Sequence, residues 1–162
     1  MAWTTPKIDW TTGELVTAAD LNTMNENLAA LKQPATAVYT TTADITADVR
    51  EFTDIDSDNL NLTITTAGGD VLLHFHGSMV QMDKSSMFLD IEVDGTRLGG
   101  DDGILKNEFR NITGDPSGAR IISFTRLFQG LGAGSHTFKL LWRGTRGSKT
   151  LRLGAQFWVR EI

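Results

Sequence analysis

The sequence has 162 residues, enough for one ordinary domain and a short appendage but too few for two full-sized domains. Hydrophobic residues make up 40% and charged residues 22%, with 16 Gly, 3 Pro and no Cys, which excludes a disordered or collagenous chain, disulfide staples, thiolate metal sites and cysteine nucleophiles. The net charge of −5 argues against general nucleic-acid binding, and it is unevenly spread: residues 1–80 carry 3 Lys/Arg against 11 Asp/Glu, residues 81–162 carry 12 against 9.

The first residues, Met1 to Lys7, lack the basic flank and apolar run of a secretory signal, and no segment approaches the ~20 apolar residues that span a bilayer. A soluble protein made in the cytoplasm is therefore expected, one that reaches a virion or the cell exterior without a signal peptide and without inserting into a membrane. Trp3 and Trp10 are expected to fasten this N-terminal segment to the body or to a larger assembly.

Residues 1–34 read as an extended lead followed by one short helix, about 18–32, and residues 35–162 as the main domain. Thr17-Ala18-Ala19-Asp20 is a capping-box variant, so the helix starts near Ala18, and Pro34 ends it. Leu21, Met24, Leu28 and Leu31 follow the rhythm of a coiled-coil seam. So short a helix needs a packing partner, either its own domain or copies of itself around a symmetry axis.

From Ala37 onward the periodicity is two, and the 21 Thr together with Val, Ile and Phe suit a pleated, half-buried surface. Strands are predicted at 37–42, 60–66, 70–81, 87–93, 96–99, 120–129, 136–143 and 149–160. The turn Asp94-Gly95 makes the hairpin at 87–99 the clearest in the chain. Eight short strands without crossover helices predict an all-β, antiparallel jelly-roll sandwich with one short N-terminal α-helix, a small closed barrel being the alternative.

Several strands are apolar on both faces. In 120–129, Ile122, Phe124 and Phe128 oppose Ile121 and Leu127; in 136–143, Phe138, Leu140 and Trp142 oppose Leu141. A monomeric sandwich is polar outside, so this pattern predicts that one sheet is covered by another chain.

Two stretches carry a resemblance. Leu131-Gly132-Ala133-Gly134-Ser135-His136-Thr137-Phe138-Lys139-Leu140-Leu141-Trp142-Arg143, with the ending Leu153 to Ile162, resembles the last two strands of trimeric jelly rolls of the C1q/tumour-necrosis-factor-like type found in bacterial and phage proteins. Trp10 to Asn22, continuing to Leu28, is similar to a segment near the start of phage and prophage tail-associated proteins. The resemblance implies a homotrimer with the C-terminal strand in the sheet nearest a three-fold axis, ligand binding at outer loops or subunit grooves, and no enzymatic activity. It places Leu21, Met24, Leu28, Leu31, Phe124, Trp142, Phe157 and Trp158 as candidate trimer-interface residues. The chain has no collagen repeat, so the partners of C1q proteins find no support in it.

His74-Phe75-His76 sets two imidazoles about 6.5–7 Å apart on one face of a strand and, with Gly68, matches the first half of the cupin metal pattern. The following carboxylate is replaced near Gln81 and the second cupin motif is absent, so no metal or cofactor is assigned and a structural His pair is favoured. Asp54-Ile55-Asp56-Ser57-Asp58-Asn59 imitates a calcium loop but has Asn59 at the glycine position and Thr65 at the bidentate glutamate position, so an EF-hand is rejected. Asp101-Asp102 is read in the same way, as a solvated acidic turn. No nucleophile elbow, phosphate loop or zincin helix occurs.

Lys139, Arg143, Arg146, Lys149 and Arg152 cluster around one predicted hairpin and are the candidate contacts for an anionic surface ligand. The reading is thus a non-enzymatic, homotrimeric, phage or prophage tail-associated protein recognising a surface glycan or protein, with possible partners among other tail proteins through the N-terminal segment. Its alternatives are a cupin-like metal enzyme using His74 and His76, and a secreted cytokine-like binding module.

Overall fold

The computed structural model describes residues 7, 9, 11–32, 34–81, 85–109 and 118–162. Trp3 and Trp10 lie outside this set, as does the side chain of Leu31. The helix, α1 (Ala18–Lys32), starts where the capping pattern places it. The Thr17 hydroxyl accepts the Asp20 N–H at 3.2 Å, and Asp20 Oδ2 accepts the Thr17 N–H at 2.9 Å and its hydroxyl at 2.6 Å. This is a reciprocal capping box with Asp in the place of the usual Glu.

Among the described residues twelve strands follow: β1 (Thr36–Thr40), β2 (Ile45–Ala47), β3 (Thr53–Asp54), β4 (Asn61–Thr66), β5 (Gly69–Gln81), β6 (Ser85–Val93), β7 (Thr96–Arg97), β8 (Leu105–Phe109), β9 (Gly118–Leu131), β10 (Gly134–Gly144), β11 (Lys149–Leu151) and β12 (Gln156–Glu161). All pairings are antiparallel, and they form two sheets. In the first, sheet A, β12 and β11 lie end to end between β5 and the collinear pair β1 and β2, with β9 on the other side of β5. In the second, sheet B, β3 and β4 pair one edge of β10, and β6 on its other edge pairs β7 and β8.

Merging the collinear pieces leaves eight strands. Sheet A reads first, eighth, third, sixth, and sheet B reads second, seventh, fourth, fifth. Consecutive strands therefore alternate between sheets, apart from the fourth–fifth hairpin, which is the two-Greek-key wiring of a jelly roll rather than a closed barrel.

The run expected as one strand at 149–160 is broken into β11 and β12, and the reason is a reciprocal kink with the loop at Thr41. The Thr41 N–H donates to Ala155 O and the Gly154 N–H to Thr41 O, both at 2.8 Å, while the Thr41 hydroxyl accepts the Ala155 N–H at 2.9 Å. Gly154 has φ +82°, a region that favours glycine. The core between the sheets is built from alternate residues of the long strands: Val71, Leu73, Phe75 and Met79 of β5, Leu89 and Ile91 of β6, Phe138, Leu140 and Trp142 of β10, Phe157 and Val159 of β12.

Candidate functional site

The two sheets differ on their outer faces, and that difference locates the site. On sheet A, the cross-strand rows run Val38, Trp158, His74, Thr125 and, beside it, Thr36, Arg160, Leu72, Leu127. Ile121 at the end of β9 is 75% exposed, Val38 64% and Leu127 42%, and Leu72 and Trp158 are half-buried. The His74 Nδ1 is 2.9 Å from the Thr125 hydroxyl and its ring stacks at 5.3 Å on Trp158. His74 therefore serves as a wall of this apolar face, while His76 is exposed between Gln156 and Ser123. Among the described residues no group of three or more His, Cys, Asp or Glu is placed to hold a metal ion.

The expected interface set divides accordingly. Phe157 and Trp142 are 0% and 1% exposed within the single chain, so their side chains belong to the core and not to a surface, a correction that follows from their inward register positions. Phe124 packs against the core cluster and onto Phe75 at 5.6 Å, so it too faces inward. Trp158 is the one strand residue of the set on the outer face. In α1, Leu21, Met24 and Leu28 are half or more exposed, whereas Asn27 on the adjoining flank is buried and Asp20 and Thr23 are half-buried. The apolar seam of the helix thus faces solvent.

Sheet B meets solvent with polar groups, while Leu141 and Phe88 on its outer face are buried at 2% and 3% exposure. Thr63 and Thr137 hydrogen-bond across β4 and β10 at 3.0 Å, and Lys139 bridges Glu92 at 3.1 Å and Asp54 at 3.8 Å, which raises the Lys139 ammonium above its ordinary value. Further along, the segment from β7 to Gly103 folds over the sheet and buries Asp90 completely. Asp90 accepts N–H groups from Arg97 Nε, Gly99 and Ile91 at 2.8–2.9 Å, so the buried carboxylate is fully occupied. Arg97 lies 3.8 Å above the Phe52 ring, and Arg143 lies 4.3 Å from Phe88 and 5.2 Å from Phe52. The sequence pointed only to Arg143 here; Arg97 is legible in retrospect as the residue two past the Asp94-Gly95 turn, which returns it alongside the strand that bears Asp90.

The five cations expected as one patch are not brought together. Arg143 and Lys139 share the outer face of sheet B, while Arg152 pairs with Asp44 at the kink of sheet A. Arg146 lies in the β10–β11 turn, where its carbonyl accepts Gln81 Nε2 at 2.7 Å and the Ser85 hydroxyl at 3.0 Å. Lys149 is 0% exposed, which removes it from any ligand surface. Its ammonium donates to Gly147 O at 2.7 Å and sits 3.7 Å from Asp48; burial pushes it down and Asp48 partly opposes this.

The acidic run at 54–59 is a capped turn. Asp56 Oδ1 accepts the N–H groups of Asp58 and Asn59 at 3.1 and 3.2 Å, and Oδ2 accepts Asn59 Nδ2 at 3.0 Å. A second polar latch joins two turns: His136 Nδ1 is 2.7 Å from Asp94 Oδ2 and Nε2 is 2.9 Å from Gly132 O.

No protein-family model matches the chain, and no curated protein matches it. Among solved structures it is similar to the Eiger TNF of S. frugiperda (12% identity, TM-score 0.45, 80% of this chain and 94% of that one). It is also similar to part of dimeric latent PorU from Porphyromonas gingivalis (10%, 0.40, 79% and 13%) and to part of the infectious bursal disease virus Gt strain structure (15%, 0.31, 77% and 32%). The strand order and register themselves define the fold: an all-β, antiparallel jelly roll with one N-terminal helix. Among the described residues no helix is long and apolar enough to cross a membrane.

Proposed function

We propose that this chain is a non-enzymatic binding protein that works as a homotrimer in a phage or prophage tail and recognises a glycan or protein on a cell surface. The observation that supports this reading is the contrast between the faces: sheet A presents Val38, Leu72, Ile121, Leu127 and Trp158 outward, while sheet B is covered by ion pairs and threonines. An apolar sheet face of this kind is buried by association. The occupant proposed is a second copy of the chain, because the seam of α1, itself too short to stand alone, is exposed as well. Three copies then compensate for a weak single-site affinity. The role in a tail rests on the resemblance of the N-terminal segment and the C-terminal strands to tail-associated proteins, and that segment is assigned to contacts with other tail proteins.

Light scattering on the purified chain tests the assembly. A mass near three times 17.7 kDa is the expected result, and a monomer at micromolar concentration overturns it. Labelled protein added to cells tests the recognition, with saturable surface binding expected. Structural phage genes on either side of the coding sequence are expected for a tail component; their absence counts against that role.

A further inference from the structure

A cavity of about 610 Å³ opens on the outer side of sheet B, lined by Arg50, Glu51, Phe52, Arg97, Asp101 and Arg143. Its volume falls in the range of small-ligand sites, roughly 300–1,000 Å³. We propose that this cavity binds an acidic saccharide: a sugar ring carrying a carboxylate or phosphate. The assignment rests on the reading of the chain as a surface-binding protein and names the chemistry it recognises.

The lining combines two kinds of group. Three guanidinium groups supply N–H donors, the Nε and Nη2 side of Arg97 being already taken by Asp90, and Glu51 and Asp101 supply acceptors for ring hydroxyls. Two of the guanidinium groups are held in place before any ligand arrives. Arg97 is fixed by buried Asp90 below, by Gly100 O at 2.9 Å and by the Phe52 ring, and Arg143 is held by Phe88, Phe52 and the carbonyl of Asp101. Little side-chain entropy is then left to lose on binding. The Nε–H of Arg143 is buried without an acceptor among the described residues, so ligand contact falls to the outer nitrogens of its guanidinium.

Charge balance narrows the ligand. Asp48, Asp90 and Asp102 each engage one of the three guanidinium groups, at 3.1, 2.8 and 3.7 Å, so the cavity is not a bare cationic patch and does not hold a polyanion by charge alone. An inorganic anion leaves Glu51 and Asp101 without donors, and a neutral sugar brings no oxyanion to the guanidinium edges that Asp48, Asp90 and Asp102 leave open. A polyol bearing one oxyanion uses both sets. The cavity lies on the sheet opposite the proposed self-association face, so a trimer displays three copies of it outward.

Calorimetric titration of the full chain with glucuronate, glucose 6-phosphate and glucose tests the assignment. Saturable binding of glucuronate or glucose 6-phosphate is expected, at least about tenfold tighter than glucose, and the better of the two identifies the oxyanion. Arg50→Ala, at a half-exposed position paired with Asp48, is expected to weaken that binding about tenfold with an unchanged unfolding midpoint. Arg143→Lys, which keeps the charge and removes the fork, is expected to weaken it as well. Equal binding of glucose, no saturable binding of any of the three, or full binding by Arg50→Ala overturns the proposal. Mass and cell binding measured on the same preparation separate the two readings: a trimer that binds cells but neither acidic sugar loses only this site, whereas a monomer that binds glucuronate through Arg50 loses the assembly and keeps the site.

Discussion

The His136 latch is the clearest titratable device in the molecule. Both ring nitrogens face acceptors, Asp94 Oδ2 and Gly132 O, and only the imidazolium donates to both. The hydrogen bond to Asp94 and then the Gly132 carbonyl raise His136 above 6.5, and the His136 hydrogen bond and then the Thr137 N–H hold Asp94 below 3.8. The stabilisation from His136 is fully present below 6.5 and is lost as pH rises through its raised value; that from Asp94 is present above 3.8 and is lost as pH falls through its lowered value. The unfolding midpoint is therefore expected to fall as pH rises past 6.5 and through the raised His136 value, and His136→Gln to flatten that fall; an unchanged slope in the variant removes the latch as its cause. Trp142 is 1% exposed, and Trp142→Ala is expected to cost ~3–5 kcal/mol in a denaturant titration, the range for an aromatic deleted from a packed core.

Among the elements, the long apolar strands and the helix were legible and the short edge strands were not. β5 and β10 alternate over most of their length, β6 is buried on both faces from Met87 to Ile91, β9 is long and rich in apolar residues, and α1 announces itself through Thr17 and Asp20. β2 and β3 have three and two residues, and β8 lies within a stretch rich in Gly and Asp, so periodicity has too few residues to act on. These strands exist because a long neighbour offers a ladder: β11 for β2, β10 for β3, β6 for β8. The candidate cations were legible by residue type but not by direction, since Lys149 points inward and Arg152 sits on the other sheet. The loop over sheet B is held by close backbone contact at Gly103, whose φ is +64° and where a Cβ would lie 2.3 Å from Leu89 O. Gly103→Ala is expected to destabilise by ~1–3 kcal/mol and to expose Asp90, checked by faster amide exchange at Gly99. Removal of residues 1–34 is expected to leave the sandwich folded, because none of the α1 side chains among the described residues belongs to the core; loss of the cooperative transition in the truncated chain contradicts this.

At the scale of the whole molecule, the proposed trimer makes stability depend on concentration. The unfolding midpoint is expected to rise with protein concentration, and a constant midpoint counts against obligate assembly. Ile121→Asp separates folding from assembly, because Ile121 is 75% exposed in the single chain and a charge there costs the monomer little. The expected result is a folded chain of one-subunit mass; a trimer that survives the substitution places the interface elsewhere.

The wiring of sheet A also has a consequence for biogenesis. β12 lies between β1 and β5, and the Glu161 carboxylate accepts the Ala67 N–H at 2.8 Å, so the last strand closes the sheet from its middle. While the chain is being made, β1 and β5 both wait with open edges, and the inner sides of both sheets stay wet until residues 149–161 have left the ribosome. Folding is then necessarily late and dominated by contacts distant in sequence, which is slow and leaves unpaired strand edges exposed to other nascent chains. A ribosome stalled before β12 holds a chain whose earlier strands are all made but whose sheet A is still open between β1 and β5.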